Sequence, residues 1–225
     1  MIPNSVTNIG HAAFEDCGDL ARVTIPNSIT KIGNNVFSGT ALINLTIPSS
    51  VTSIGDEALA YCDGLLSVTI PHSVTSIGSY AFWYCTSLRG AVIPDSVTNL
   101  EIFAFYACYS LKTVTIPNSI SSIEEWTFTE TALTSVTIPN SVTRIDDGAF
   151  EDCPLKKVAI PGNVTTIGSE AFAGCSSLTS VAISNGVTGI GERAFEYCGL
   201  TNVTLPESVT NIGDSAIQRS TNALA

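Results

Sequence analysis

One pattern of apolar and polar positions repeats along the whole chain with a period of 22 or 23 residues. It reads L-x-x-V-T-I-P-x-S-V-T-x-I-G-x-x-A-F-x-x-C, and the stretch from Leu133 to Cys153 shows almost every position of it. A unit this short cannot bury its apolar face alone, so the pattern predicts about ten coils stacked as a solenoid. The proline of the repeat, replaced once by serine, occurs at Pro3, Pro26, Pro48, Pro71, Pro94, Pro117, Pro139, Pro161, Ser184 and Pro206.

The β-branched segment before each proline predicts a short strand. In Val68-Thr69-Ile70 the apolar residues alternate with an outward threonine, which is typical of a half-buried strand. Stacked coils bring these strands together in parallel, and proline ends each strand because it has no amide to donate. Further along the repeat, Val51 and Ile54 point inward from an extended or bulged stretch.

A single helical turn is predicted after the Ile-Gly step. We call a set of equivalent positions in successive repeats a column. The first column of this turn is rich in residue types that cap helix N-termini, and Ala81 and Phe82 then fill the interior from the turn. Glu101, Glu124 and Asp146 replace the glycine, so that column does not require a left-handed backbone. The capping types are Asn34, Asp56, Ser79, Asp147, Ser169 and Asp214.

The recurring motif VTIPNSVTSIG…AF..C..L resembles the BspA-like, or Treponema-type, leucine-rich repeat over essentially all 225 residues. The resemblance implies an α/β solenoid that is right-handed and curved, with a parallel sheet on the concave side and short helical turns or extended segments on the convex side. A parallel β-helix is the alternative, and the Leu-x-x-Val start favours the leucine-rich form. We expect one domain over 1–225, with a partial first coil and with the last coil and a polar tail over 207–225.

Composition narrows the classes of partner. The net charge is −11 with nine basic residues, which argues against nucleic acid and anionic membranes because both require Lys and Arg. No apolar run approaches the ~20 residues that span a bilayer, so membrane insertion is not expected. The opening MIPNSVTNIG has neither the basic nor the apolar region of a signal peptide.

The residues capable of chemistry occupy structural columns. His11 and His72 lie in different columns, and acid pairs such as Asp146–Asp147 recur at the start of the proposed helical turn. We therefore expect no catalytic residue, no metal site and no cofactor. The cysteines share one column without zinc-site spacing, which predicts buried free thiols, and repeats that lack a cysteine have Gly39 or Glu130 nearby. They are Cys17, Cys62, Cys85, Cys108, Cys153, Cys175 and Cys198.

Aromatic residues outside the interior Phe column are concentrated in one part of the chain. Of nine such residues, all but Tyr197 lie between positions 61 and 126, and they share columns in successive repeats. On a helical turn, Tyr80, Trp83 and Tyr84 would share one face. We predict an exposed aromatic patch on the convex or lateral side, although the rings would also suit packing against one another or a flanking domain. The aromatic patch comprises Tyr61, Tyr80, Trp83, Tyr84, Phe103, Tyr106, Tyr109 and Trp126.

The resemblance implies a surface-exposed or secreted repeat protein with a role in adhesion. We expect a non-catalytic module that binds a host or cell-surface protein, with a glycan as the second choice of ligand. The alternatives are a structural spacer without a ligand, a carbohydrate-binding module that uses the aromatic patch and, remotely, an enzyme acting on glycans. Neither terminal coil has a strong cap, so end-to-end self-association or a longer parent chain is also expected.

Overall fold

The structure, a computed structural model, describes residues 1–218, which form a solenoid of short parallel strands without a helix. The strands are β1 (Lys31–Ile32), β2 (Asn44–Thr46), β3 (Ser53–Ile54), β4 (Ser67–Thr69), β5 (Ser76–Ile77), β6 (Gly90–Val92), β7 (Asn99–Leu100), β8 (Thr113–Thr115), β9 (Ser122–Ile123), β10 (Arg144–Ile145), β11 (Lys157–Ile160), β12 (Thr166–Ile167), β13 (Ser180–Ile183), β14 (Gly189–Ile190) and β15 (Asn211–Ile212). All pairings between these strands are parallel and join coils that are adjacent in sequence.

Each complete coil supplies strands to one or both of two ladders. The first ladder comes from the Val-Thr-Ile segment and contains the pairs β2–β4, β6–β8 and β11–β13. In β4 the Val68 side chain is buried whereas Ser67 and Thr69 are exposed, as the alternation predicts. The second ladder comes from the extended stretch after the proline and contains the orders β1-β3-β5-β7 and β15-β14-β12-β10-β9.

The columns of the sequence pattern coincide with rows in space. Ile54 of β3 lies opposite Ile77 of β5, and Val158 of β11 lies opposite Val181 of β13. The predicted solenoid with stacked parallel strands is therefore confirmed. The second ladder contains nine strands, which define eight turns, whereas ten coils would define nine. The difference is the first coil, because no residue before Lys31 forms a strand within the described part of the chain.

The predicted helical turn is wrong. After the Ile-Gly step the backbone forms consecutive β-turns, and its amides point alternately within the coil and towards the next coil. The amide of Trp83 donates to the carbonyl of Tyr80 at 3.0 Å, whereas that of Phe82 donates to Ala104 in the next coil at 2.9 Å. An α-helix would use these amides internally, so it would leave none for the neighbouring coil. We call this stretch, residues 78–85 and its equivalents, the turn segment.

The residues expected to cap a helix bond to the following coil instead. Asn34 Oδ1 accepts from the amide of Asp56 at 3.1 Å, and Asp56 Oδ1 accepts from the amide of Ser79 at 3.1 Å. These side chains satisfy a backbone donor, which is also what a helix cap does. The similarity of the two roles explains why the sequence pattern suggested a helix.

Two positions of each fully described turn segment adopt a left-handed backbone conformation. In one segment these are Tyr80, with φ of 59°, and Tyr84, with φ of 55°. A non-glycine residue in this conformation costs about 1–2 kcal/mol, so the stacking of coils must offset a recurring cost. The first position is occupied by Ala12, Asn35, Glu57, Tyr80, Phe103, Trp126, Gly148, Glu170, Arg193 and Ser215, and the second by Asp16, Gly39, Tyr61, Tyr84, Ala107, Glu130, Asp152, Gly174 and Tyr197.

A column of phenylalanine rings forms the centre of the core. Phe82 and Phe105 stack with centroids 4.9 Å apart and planes within 6°, and Phe172 and Phe195 stack at 5.3 Å. Leu59 takes the same column in its coil and is also fully buried. The predicted alignment of the phenylalanines inside one spine is confirmed.

The first coil is less well covered than the interior coils. Phe14 is half-buried and Cys17 is exposed. A depression of about 440 Å³ at this end is lined by apolar residues that include Ile2, Val6 and Leu20. End-to-end self-association stays a prediction. In the region 207–225, residues 219–225 of the polar tail lie outside the described residues.

Replacing Phe128 by alanine should lower the free energy of unfolding by about 3–5 kcal/mol, because the ring is fully buried between two stacked neighbours. Urea denaturation followed by circular dichroism would measure the loss. Phe14→Ala is the control: Phe14 stacks only on Phe37 among the described rings, so its loss should be less than half as large. Equal losses would contradict the stacked spine.

Candidate functional site: the aromatic patch

Seven of the eight residues of the aromatic patch lie on turn segments, and the eighth, Tyr109, directly follows one. Tyr80, Phe103 and Trp126 form a row in which the centroids of neighbouring rings are 4.6 and 6.1 Å apart and their planes lie within 10°. Tyr61 and Tyr84 form a second stacked pair at 5.6 Å. The sequence pattern therefore predicted which rings would stack.

Trp83 and Tyr84 link the rows into one surface. The Trp83 ring lies 4.7 Å from Tyr61 and 5.1 Å from Tyr80. The Tyr84 ring lies 6.4 Å from Tyr106 and meets Tyr109 edge-on at 5.9 Å. These tilted and edge-on arrangements are the favoured geometries for aromatic pairs.

The turn segment orients these side chains, although not as a helix would. Tyr80 and Tyr84 occupy the two left-handed positions, while Ala81 and Phe82 between them are fully buried. Tyr61 and Tyr109 are the most open members of the patch, with exposed fractions of 44% and 48%. The other six are partly covered, so the patch combines packing between rings with an accessible surface.

Trp126 lies over the backbone of the next coil because residue 148 is a glycine. A Cβ at Gly148 would overlap the six-membered ring of Trp126 and would lie 2.6 Å from its Cδ2 atom. Gly148 also has a φ of 62°, which glycine adopts without strain. The stacked row thus ends where a glycine allows the last ring to lie flat.

Carboxylates border the patch beside Tyr106 and Tyr109. The hydroxyl of Tyr109 donates to Glu130 Oε2 at 3.0 Å. Burial raises the pKa of Tyr106, and Glu130 contributes in the same direction. Burial raises the pKa of Glu151 to about 7, with further contributions from Asp152, Glu170 and Glu130. We call Glu130, Glu151 and Asp152 the acidic rim.

Sequence reasoning did not single out the acidic rim, although its columns carry a signal. Glu151 lies in the column of Trp83 and Tyr106, and Glu130 and Asp152 lie in the column of Tyr61 and Tyr84. The same outward positions thus change from aromatic to acidic along the solenoid. That change marks the boundary of the patch.

The cysteine column is structural in this geometry. Six thiols are buried, and each donates to a carbonyl of the preceding coil, as Cys108 Sγ does to Phe82 at 3.2 Å. Among the described residues, Thr40 and Thr131 occupy this column in two repeats without a cysteine, rather than Gly39 or Glu130. The expectation of burial is wrong for Cys17, which is exposed.

The remaining polar candidates do not converge on a centre. Both histidines are exposed, and His11 Nδ1 is paired with the carbonyl of Asn34 at 3.0 Å. Arg144 pairs with Asp146 at 3.2 Å and with Glu124 at 3.9 Å. No cluster of three potential metal ligands occurs within residues 1–218.

The family model described as "BspA type Leucine rich repeat region (6 copies)" matches residues 1–112 and 98–223. The chain belongs to this family. A leucine-rich repeat protein from Bacteroides ovatus superposes on it with a TM-score of 0.72 at 26% identity, covering 96% of this chain and 76% of that protein. The Treponema pallidum leucine-rich repeat protein gives a TM-score of 0.62 at 28% identity, covering 85% of this BspA-type chain and 81% of the other.

A third similar structure is a leucine-rich cell surface protein from Faecalibacterium prausnitzii. It shares 31% identity with this BspA-type protein, with a TM-score of 0.51 and coverage of 96% of this chain and 71% of its own. No match was found among curated proteins. Across residues 1–218, no helix has the length and apolar character needed to cross a bilayer.

Thiol labelling should distinguish Cys17 from the buried column. At a pH near 8, a disulfide reagent should modify one thiol per folded chain and all seven in urea, because only Cys17 is exposed. Cys17→Ser should abolish the reaction of the folded chain. Rapid modification of several thiols without denaturant would show that the coils do not cover them.

Stability should fall as the pH rises above about 9. Burial raises the pKa of Cys153 to about 11 and that of Cys198 to about 12, so the folded state keeps protons that the unfolded state releases. The stabilisation is fully present below the unfolded-state pKa and declines as the pH rises towards the folded-state values. Urea midpoints of wild type and Cys153→Ala/Cys198→Ala between pH 7 and pH about 10.5 would measure this, with a flatter profile expected for the variant.

Gly148→Ala should displace the Trp126 ring from the surface of the next coil. We expect a shift in intrinsic fluorescence and a loss of about 1–3 kcal/mol in the free energy of unfolding, since a new Cβ overlaps the indole at a left-handed residue. The control is Gly10→Ala, where a Cβ meets no atom within 4 Å. Identical spectra and stabilities for the two variants would contradict this packing.

Proposed function

We propose that this protein is a non-catalytic protein-binding module of a surface-exposed or secreted protein, and that the aromatic patch is its contact surface. The observation that carries the proposal is the accessible cluster of eight aromatic residues on one side of a regular solenoid. Tyr and Trp are enriched among the residues that dominate binding energy at protein interfaces. Rings already stacked against one another lose little conformational freedom when a partner binds.

The first ladder is a weaker candidate for the contact surface. Its outward residues are small, as in Asn44, Thr46 and Thr69, which suit a solvated strand but offer few large anchors. The aromatic patch therefore supplies the anchors that the ladder lacks.

The surface location is supported by the Faecalibacterium prausnitzii relative, which is described as a leucine-rich cell surface protein. Adhesion would follow if the partner is a protein on a host cell or on another microbial cell. The extended stack of coils suits such a role because it can hold the patch away from a cell wall.

Protein and glycan arrays probed with the purified chain would test the proposal. We expect reproducible protein signals that fall about tenfold in Tyr61→Ser/Tyr109→Ser, because these are the two most exposed rings of the patch. Tyr197→Ser is the matched control, since Tyr197 occupies the same column as Tyr61 and is 46% exposed. Circular dichroism would verify that each variant is folded.

Three results would overturn the proposal. Signals restricted to glycans would identify a carbohydrate-binding module. Silence across both arrays would favour a spacer. Hydrolysis of a polysaccharide by the purified protein would show an enzyme.

A further inference from the structure

The charge around the aromatic patch is one-sided. Between residues 57 and 130 the basic residues are Arg89 and Lys112, and they directly precede β6 and β8 of the first ladder. The ionisable carboxylates in or beside the turn segments of this stretch are Glu57, Asp63, Glu101, Glu124, Glu125 and Glu130. The turn segments that carry the rings therefore contain acids but neither of these two basic residues.

The acidic rim is not neutralised by the protein's own cations. Within residues 1–218, ion pairs are formed by Arg144, with Glu124 and Asp146, and by Arg193, with Glu170, Glu192 and Glu196. None of them includes Glu130, Glu151 or Asp152. Burial is the main cause of the raised pKa of Glu151, and the neighbouring acids Asp152, Glu170 and Glu130 raise it further.

Rings and carboxylates are joined directly. The hydrogen bond from Tyr109 to Glu130 places a rim carboxylate at the edge of an exposed ring, and Tyr109 in turn packs against Tyr84. A ring face attracts a cation through its quadrupole, and an adjacent carboxylate adds a charge interaction. This combination favours arginine in particular, because its planar guanidinium can stack and pair at the same time.

We propose that the aromatic patch and the acidic rim together bind a basic segment of a protein ligand, with an arginine or lysine side chain seated between the Tyr106–Tyr109 rings and the rim carboxylates. This inference rests on the proposed protein-binding function and specifies the chemistry of its partner. Charge complementarity is the reason for proposing a basic ligand. A neutral glycan has no positive charge to pair with the carboxylates, and a nucleic acid would be repelled by them.

A fluorescent peptide of about twelve residues, with four arginines in a Gly-Ser background, is the probe. The control peptide has citrulline in place of every arginine, which keeps the shape of the side chain and removes its charge. Both tryptophans of the protein, Trp83 and Trp126, lie in the patch, so intrinsic fluorescence reports occupancy there alone. We expect the arginine peptide to change this fluorescence and to bind at least about tenfold more tightly than the citrulline peptide, with affinity falling as salt rises.

Two matched variants test whether the peptide binds through the acidic rim or only through the overall negative charge of the protein. Glu130→Gln/Glu151→Gln/Asp152→Asn should weaken binding of the arginine peptide about tenfold, as measured by fluorescence anisotropy. The control Glu15→Gln/Asp19→Asn/Glu207→Gln replaces the same number of carboxyl groups at exposed positions elsewhere in the chain and should retain at least half of the affinity. Urea denaturation of both variants would verify equal folding.

The inference fails if citrulline and arginine peptides bind equally, if neither peptide binds, or if the two charge variants lose affinity equally. Its failure is distinguishable from that of the proposed function. Suppose that proteins found on the array require Tyr61 and Tyr109 but bind the rim variant at full strength. The proposed protein-binding function would then stand, and the inference of a basic ligand would be wrong. Array proteins that bind the control variant but not the rim variant would support both the proposed function and the inference.

Discussion

The hydrogen bonds between turn segments are the interaction on which the rest of the structure depends. Every second amide of the segment, such as that of Phe82, is donated to the next coil, and the amides between them close turns within their own coil. This arrangement fixes the spacing of the coils where the chain forms no strand. It also requires left-handed residues at two positions per coil, and only continued stacking can offset their cost.

The aromatic patch follows from this constraint. Each left-handed position lies beside the equivalent position of the next coil. Tyr80 and Phe103 are such a pair, and their rings stack face to face. Stacking contributes about 0.5–1.5 kcal/mol for such a pair beyond burial, which is comparable to the backbone cost at each residue. The patch thus stabilises the coils that display it and still leaves Tyr61 and Tyr109 accessible to a partner.

Most of the fold could be predicted from the sequence because identical columns must become rows. The first ladder, the phenylalanine spine and the grouping of the eight aromatics all follow from the period. The helical turn could not be predicted correctly, since Asn34 and Asp56 bond an amide one coil away and not one within their own turn. Local sequence does not distinguish these two donor amides, because both need the same short polar side chain as the acceptor.

The acidic rim escaped prediction for a related reason. Its members are ordinary surface acids in isolation, and only the contact between Tyr109 and Glu130, 21 residues apart, joins them to the rings. The threonines at positions 40 and 131 were missed because they complete a cysteine column with a different residue type.

The register between coils has a consequence for how such a surface can change. Coils of 22 and of 23 residues stack through the same backbone bonds, so duplication or deletion of one whole unit leaves every remaining row intact. Recombination between units can therefore lengthen, shorten or move the aromatic stretch by whole repeats. Point substitutions at the left-handed positions change the chemistry of its surface. The architecture separates the evolution of surface composition from the maintenance of the core.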